Sequence, residues 1–291
     1  MPIDQNARGR WTFGGGALRI LLLIAATACS QNVEGLIAAL SHPDSKTRSR
    51  ASYQLVRMGP AAVAPLVAAI DSGSDSLRYI AAQILGRIGD RRAQPALLRL
   101  SRDPHEQVRR VALVALGGMA DPELVQYLTP ILLEAALPEL RAAAAQGLAG
   151  LGDTVAVHSL IRALDDSSAA VRKQAVVALN RLWSPMAAGA IARTLAADAD
   201  ETVRYVAVQA LARRQGTDAL LHLSAALGDS SVWVRTEAAH GLRTLGDEAA
   251  AGALARLLDR RQGPDYDAAL LALQALEGTT DRRRTGNRPP R

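Results

Sequence analysis

The chain has 291 residues, of which 49% are hydrophobic but only 3% aromatic, and it contains a single cysteine. An aliphatic core of Ala, Leu and Val favours helices over β-sandwiches and barrels, and one cysteine excludes an intramolecular disulfide and a multi-cysteine zinc site. The net charge of +6 belongs to the two ends, because residues 1–28 carry +2 and residues 281–291 carry +4, so the stretch between them is neutral and lacks the broad positive field that attracts nucleic acid.

The first 28 residues have the layout of an export signal. Residues 1–19 are basic, residues 20–28 form an uncharged run that ends in small side chains, and the cysteine follows as Cys29. As a helix, the nine-residue run would rise only about 14 Å, which is too short to span a bilayer. The segment is therefore predicted to be a targeting signal and not part of the folded domain.

The end of this segment resembles the lipobox of bacterial lipoproteins, although Ala26 stands where that motif usually has leucine. The resemblance implies that residues 1–28 are a signal peptide and that Cys29 is lipidated, which anchors the protein to a membrane. Ser30 behind it favours the outer membrane, so we expect the protein in the bacterial cell envelope, on the periplasmic face. The alternatives are a plain cleaved signal, and an apolar first helix in which Cys29 is a buried thiol.

From about residue 31 to residue 278 the sequence repeats with a period of about 31 residues. Each copy contains an arginine, termed the anchor, that usually follows Val or Leu. Three residues after every anchor there is Ala, and seven residues after it there is Leu. The anchors recur at spacings of 30 to 32 residues and are Arg48, Arg78, Arg109, Arg141, Arg172, Arg204 and Arg235. Seven copies in one register indicate a repeat architecture.

Each repeat is predicted to contain an anchor helix followed by a second, antiparallel helix. Offsets −1, +3, +7 and +10 from the anchor share one helical face, so they should face a core. Ser or Asp four residues before the anchor suits an N-cap, and glycine near +11 or +12 suits a helix end. About eight pairs are expected; the last, at about 247–278, is degenerate, as is typical of a terminal repeat.

Strings of the type D-x-x-V-R-x-x-A-x-x-x-L, such as residues 200–211, resemble HEAT repeats, specifically the short form of the phycobilisome lyases. The resemblance implies an all-α fold, a right-handed α-solenoid over residues 29–278, with a disordered basic tail at 279–291. It also implies that the anchors form a structural ladder with aspartates six residues before an anchor, namely Asp103, Asp166, Asp198 and Asp229. A row of arginines that binds a ligand is the alternative.

The anchor-helix face opposite the core is the candidate binding surface, since the same resemblance places this helix on the concave side. Of the 21 residues at offsets +1, +5 and +9, six are Arg or Lys, three are Tyr and none is acidic. Such a groove suits another protein or an acidic, extended peptide. The alternative is a solvated face whose acids lie at helix starts because of the helix dipole. The candidate residues are Tyr53, Arg57, Tyr79, Arg87, Arg110, Lys173, Arg181, Tyr205, Arg213 and His240.

No motif for catalysis or for a metal appears in the sequence. Among five histidines only His105 is followed by Glu, whereas a HEAT-like di-iron hydroxylase needs several His-Glu pairs. Trp183 and Trp233 are expected to be packing residues. We therefore expect a non-catalytic scaffold that binds protein, without cofactor, metal or nucleic acid. A bilin lyase and a HEAT-like DNA glycosylase are the alternatives if the protein is cytoplasmic.

Overall fold

The computed structural model describes residues 32–214, 217–245, 249–258 and 266–274. These residues form sixteen α-helices and no strand, which confirms the predicted all-α class. The predicted signal peptide 1–28, the lipidation candidate Cys29 and the basic tail 279–291 lie outside the described residues. None of the described helices combines the length and the hydrophobicity needed to cross a bilayer.

Seven helices carry one anchor arginine each and are termed the anchor helices. They are α2 (Ser45–Met58), α4 (Asp75–Ile88), α6 (Glu106–Leu116), α8 (Pro138–Leu151), α10 (Ala169–Arg181), α12 (Glu201–Ala212) and α14 (Val232–Leu245). The helices between and around them are α1 (32–39), α3 (Pro60–Ser72), α5 (Gln94–Leu100), α7 (Leu124–Glu134), α9 (Ala156–Arg162), α11 (Pro185–Ala197), α13 (Thr217–Ala226), α15 (Ala249–Leu258) and α16 (266–274). Single 3-10 turns precede α5 and follow α6 and α9.

The helices form two layers, as a solenoid of stacked helix pairs requires. Consecutive anchor helices pack side by side from α2 to α14, and α7, α9, α11, α13 and α15 form a second, outer row. Each outer helix from α3 to α13 packs more extensively against the anchor helix that follows it than against the one before it. The sequence pattern starts each repeat at the anchor helix, whereas this packing starts it one helix earlier and groups the sixteen helices into eight pairs.

The core follows the predicted register. Every Ala at offset +3 and every Leu at offset +7 is at most 3% exposed. The small +3 residue lets neighbouring helices approach, and the +7 leucine fills the layer between them. Because both requirements recur in all seven anchor helices, one continuous aliphatic core runs through the described stack.

The predicted helix ends are only partly as expected. The carboxylates of Asp44 and Asp200 cap α2 and α12, and the Ser74 hydroxyl caps α4. Ser168 is the N-cap residue of α10 as predicted, but its hydroxyl makes no capping hydrogen bond. The buried hydroxyl of Ser231 has no hydrogen-bond partner, so the cap predicted there is wrong. Glycines with positive φ follow three anchor helices, at Gly59, Gly89 and Gly152. The predicted helix-end residues Gly216 and Gly246 lie outside the described residues.

Candidate functional site

Among the residues that the structure describes, four anchor arginines form ion pairs with an aspartate of the next repeat along one edge of the stack. In each pair the guanidinium Nε and Nη2 donate to the two oxygens of one carboxylate, with Nε···O distances of 2.6 to 2.8 Å. Paired hydrogen bonds of this kind are strong and directional because both groups are charged. The pairs, termed the rungs, are Arg78–Asp103, Arg141–Asp166, Arg172–Asp198 and Arg204–Asp229.

The rung at Arg172 shows how one arginine joins two repeats. Its Nη1 donates to the carbonyl oxygens of Asp166 (2.9 Å) and Ser167 (3.3 Å) in the loop before its own helix. Its Nε and Nη2 donate to Asp198 in the next repeat, both at 2.8 Å. The same Asp198 carboxylate accepts the backbone N–H of Asp200 at 2.9 Å, so the rung also binds the N-cap residue of α12. The geometry is that of a structural ladder.

Both members of this rung are stabilised in their charged forms. Burial alone would raise the pKa of Asp198, but hydrogen bonds from Arg172 and from the N–H of Asp200 outweigh it and hold the pKa below the ordinary 3.8. The hydrogen bond to Asp198 raises the pKa of Arg172. The pair is therefore fully ionised near neutral pH.

Arg48 and Arg109 have no such carboxylate partner among the described residues. Arg48 and Arg109 donate Nη1 to loop carbonyls as the others do, but the aligned position in the next repeat holds Ser72 and Ala135 in place of aspartate. Arg235 keeps its bond to the Asp229 carbonyl at 2.7 Å.

The opposite, groove side of the anchor helices is accessible to solvent. None of the 21 residues at offsets +1, +5 and +9 is buried. A cavity of about 490 Å³ lies on this side and is lined by residues from α2, α4, α6, α8 and α10. A single cavity lined by five successive anchor helices means that the stack curves around it, so these helices line the concave face.

The floor of the cavity is backbone and small apolar side chains. It contains Gly86, Gly117, Gly118 and Gly150 together with Ile84, Val111, Val114 and Ala115. A Cβ added at Gly86 would lie 2.6 Å from that of Ala115, so glycine is what allows α4 and α6 to touch here. This part of the lining therefore consists of glycine backbone and aliphatic side chains.

The rim of the cavity is polar and basic. It is made by Ser52, Gln83, Arg87, Gln146 and Arg181, and no residue lining the cavity is acidic. Arg87 and Arg181 are exposed, and neither makes an ion pair or a hydrogen bond with the residues that the structure describes. These two guanidinium groups therefore differ from those of the four rungs, whose charges are compensated.

The other predicted groove residues lie outside this cavity. The guanidinium carbon of Arg57 lies 5.9 Å from the ring centre of the exposed Tyr53, and Tyr79 accepts a hydrogen bond from Gln83 at 3.1 Å. The remaining ones sit on the same solvent-accessible side of their helices and are not among the residues that line this cavity: Arg110, Lys173, Tyr205, Arg213 and His240.

Three features of this face were missed by the reasoning from sequence. Glu237, at offset +2, lies 3.5 Å from the Tyr205 hydroxyl, and burial together with this acid raises the pKa of Tyr205. An acidic side chain therefore lies next to this face where α12 packs against α14. The glutamines of the rim and the glycines of the floor carried no chemical signature. Trp183 packs 4.2 Å from the Arg214 guanidinium, but the packing role predicted for Trp233 is wrong, since it is 64% exposed.

The acidic and imidazole side chains do not gather into a metal site. Across the part of the chain that the structure describes, no group of three or more His, Cys, Asp or Glu side chains is placed to hold an ion. His105 of the single His-Glu pair has its Nε2 3.5 Å from a carboxylate oxygen of Asp75.

Comparison with known proteins agrees with this architecture. A family model of HEAT repeats matches residues 63–137, 125–212 and 189–277. The deoxyhypusine hydroxylase of Bos taurus is 37% identical over 103 residues, which are 34% of each protein, so the match spans about a third of the length of this curated relative. The fold is similar to that of Kap95p bound to RanGDP, with a TM-score of 0.54 and 16% identity over 96% of this chain and 43% of that chain. It is also similar to the CpcE–CpcF phycocyanin lyase complex of Nostoc sp. PCC7120, with a TM-score of 0.43 and 21% identity over 95% of this chain and 100% of that chain.

Proposed function

The chain belongs to the HEAT-repeat family, and from this premise we propose that it is a non-catalytic scaffold that binds an acidic, extended segment of a partner protein in its concave cavity. One observation carries the proposal: Arg87 and Arg181 project on the rim of a cavity without any acidic lining residue, and neither is compensated by a described neighbour. The activity named for the bovine relative is not part of the proposal, because the match covers only about a third of that protein.

The cavity has the size and the lining of a binding site. Its volume of about 490 Å³ lies within the range of about 300–1,000 Å³ that is usual for ligand pockets. The apolar floor can cover small aliphatic side chains of a bound segment. The carboxamides of Gln83 and Gln146 each offer a donor and an acceptor, as the backbone of an extended peptide requires.

The charge of the rim decides between partners. A carboxylate placed between Arg87 and Arg181 would form charge-assisted hydrogen bonds, whereas a basic segment would meet two uncompensated positive charges. The helix dipole explains in part why arginine occupies the last turn of α4 and α10. It does not explain why both arginines border one cavity.

The test uses the full-length protein and a labelled eight-residue peptide of alternating Glu and Val, with a Lys-Val peptide of the same length for comparison. We expect the wild type to prefer the Glu-Val peptide and the Arg87→Glu/Arg181→Glu variant to bind it at least about tenfold more weakly. The matched control is Arg162→Glu/Arg193→Glu, which makes the same change of charge at two exposed positions on the outer helices α9 and α11.

The control variant should bind the acidic peptide as the wild type does, apart from a small effect of net charge. Equal affinity for the two peptides, or an equal loss in the two double variants, would contradict a specific site in the concave cavity.

The location of the protein is part of the same proposal. The lipobox-like sequence before Cys29 supports a scaffold held at a membrane of the cell envelope by a lipid. Cells that express the wild type should incorporate radioactive fatty acid into the protein, and the Cys29→Ala variant should not. Absence of label from the wild type, or equal label on the variant, would contradict the anchor.

A further inference from the structure

The ladder of rungs is interrupted between α6 and α8. Ala135 lies six residues before the anchor of α8. At the same offset, the helices α6, α10, α12 and α14 have an aspartate: Asp103, Asp166, Asp198 and Asp229. Ala135 retains the Cβ of an aspartate, so what the position lacks is one carboxylate group. The four complete rungs show how such a group is bound at this place in the repeat.

Arg109 is held in the orientation of a rung arginine although it has no carboxylate to bind. Its Nη1 donates to the carbonyl oxygens of Asp103 at 2.8 Å and Pro104 at 2.9 Å. Arg141 and Arg172 make the same two loop bonds, six and five residues before the anchor. The Nε and Nη2 of Arg109 have no hydrogen-bond partner among the described residues, and no described carboxylate lies within ion-pair distance of it.

The interrupted rung also leaves a backbone N–H without the carboxylate that binds it in the complete rungs. In each complete rung the aspartate also accepts the N–H of the residue two positions later, at 2.7 to 2.9 Å; these donors are His105, Ser168, Asp200 and Ser231. The equivalent donor at the interruption is the N–H of Leu137, the N-cap residue of α8, for which no hydrogen bond to a described residue is found. Arg109 is half-buried, and Ala136 and Leu137 are exposed, so the place is open to solvent.

We propose that the space between Arg109 and Leu137 is a carboxylate-binding site, in which a carboxylate from another molecule completes the interrupted rung. The planar fork of Nε and Nη2 matches the two oxygens of a carboxylate, and the Leu137 N–H supplies a third donor. The ligand class is a carboxylate, carried by a small organic anion, by an acidic side group or by the C-terminus of a polypeptide. This site is on the loop edge of the stack and does not depend on the function proposed for the concave cavity.

Formate is the probe, because it is the group that Ala135 lacks. In the full-length protein at pH 7, the side-chain Nε–H resonance of Arg109 should shift on titration with sodium formate and should not shift with sodium chloride at the same ionic strength. Formate should also raise the melting temperature relative to chloride. An equal response to formate and chloride would overturn the proposal.

Two variants test the assignment in opposite directions. Ala135→Asp supplies the carboxylate within the protein, so it should raise the melting temperature by about 3 °C and abolish the formate-dependent shift of Arg109. Asp198→Ala opens a second gap, so the Nε–H of Arg172 should acquire a formate response that the wild type lacks. Persistence of the Arg109 response in Ala135→Asp would place formate elsewhere and overturn the site.

Competition with formate distinguishes the possible sources of the carboxylate. Two short Ala-rich peptides are added separately to the formate complex. One has a free C-terminal carboxylate, and the other is amidated at its C-terminus and carries one internal Asp. Displacement of formate by either peptide supports a site that takes carboxylates from proteins, and displacement by acetate alone supports one for small anions. If neither acetate nor the peptides compete with formate, the site is not one for carboxylates and the proposal fails.

Discussion

The junctions α10–α12 and α6–α8 join neighbouring repeats by different means. At α10–α12, Arg172 and Asp198 form a rung at the loop edge, and Asn180 and Ala210 occupy the offsets at which α6 and α8 have Gly117 and Gly147. At α6–α8 there is no rung between described residues. Instead, a Cβ added at Gly147 would lie 2.5 Å from the Leu113 carbonyl oxygen. Close backbone packing does not depend on a rung, and it does not exclude one, since α4–α6 combines the Arg78–Asp103 rung with the close approach of Gly86 to Ala115. What distinguishes α6–α8 is that the Nε and Nη2 of Arg109 have no hydrogen-bond partner among the described residues.

The largest effect is expected from removing a rung at the ion-paired junction. Asp198→Ala leaves the Arg172 fork without its carboxylate in a place where the aspartate side chain is only 5% exposed, so the free energy of unfolding should fall by about 3 kcal/mol. Urea unfolding followed by circular dichroism measures it. The control Asp165→Ala removes an exposed neighbour of a rung aspartate and should change stability by less than about 0.5 kcal/mol. Similar losses in both variants would refute the role of the rung.

The glycine-packed junction should respond to the smallest possible side chain. Gly147→Ala forces α6 and α8 apart and should cost about 1–3 kcal/mol in spite of the better helix propensity of alanine. Gly189→Ala in α11 is the matched control, because the nearest atom to its added Cβ is the end of the Arg193 side chain, at 3.7 Å. It should stabilise the protein by up to about 1 kcal/mol. Stabilisation by both substitutions would show that the helices do not need the close contact.

Acid should weaken the ion-paired junctions selectively. The four rung aspartates have folded-state pKa values below the ordinary 3.8, so their contribution to stability is present above that pH and is lost as the pH falls through the folded-state values. Urea unfolding at pH 6 and pH 3 should show a smaller loss in Asp198→Asn than in the wild type. Equal losses in the two proteins would indicate that other groups control the acid sensitivity.

The smallest effect concerns the helix start at a rung. The Asp229 carboxylate binds the backbone N–H of Ser231 at 2.7 Å, while the Ser231 hydroxyl has no partner, so Ser231→Ala should leave the free energy of unfolding within about 0.5 kcal/mol of the wild type. Ser74→Ala removes a hydroxyl that caps α4 and should cost about 1 kcal/mol. Thermal unfolding of both variants checks the difference, and the reverse order would contradict the assignment of the caps.

The core and the all-α class were predictable because each repeat imposes the same steric demand at the same offset. Alanine at +3 and leucine at +7 recur seven times, so the pattern stands out from a single sequence. The pairing of helices was not predictable, since both neighbours of an outer helix offer equally apolar stripes. The glycines of the cavity floor were missed because they do not recur: Gly86 and Gly117 lie at offset +8, but Gly118 and Gly150 lie at +9.

The groove was predicted from its charge and from the expected concave side of the solenoid, but only some of the residues that line its cavity were predicted. Arg87 and Arg181 lie three repeats apart, and only the curvature of the stack brings both to one cavity. Glu237 was overlooked because offset +2 points to the edge of the face, where its position relative to Tyr205 depends on the packing of α12 against α14.

The central claim is that arginines on the two sides of the anchor helices have different roles, and one paired measurement tests it most directly. The melting temperature and the affinity for the Glu-Val peptide are determined together for Arg172→Gln and for Arg87→Gln/Arg181→Gln. We predict that Arg172→Gln lowers the melting temperature and keeps the affinity, whereas the double variant keeps the melting temperature and loses the affinity. A loss of stability without loss of binding in the double variant, or a loss of binding confined to Arg172→Gln, would contradict the account.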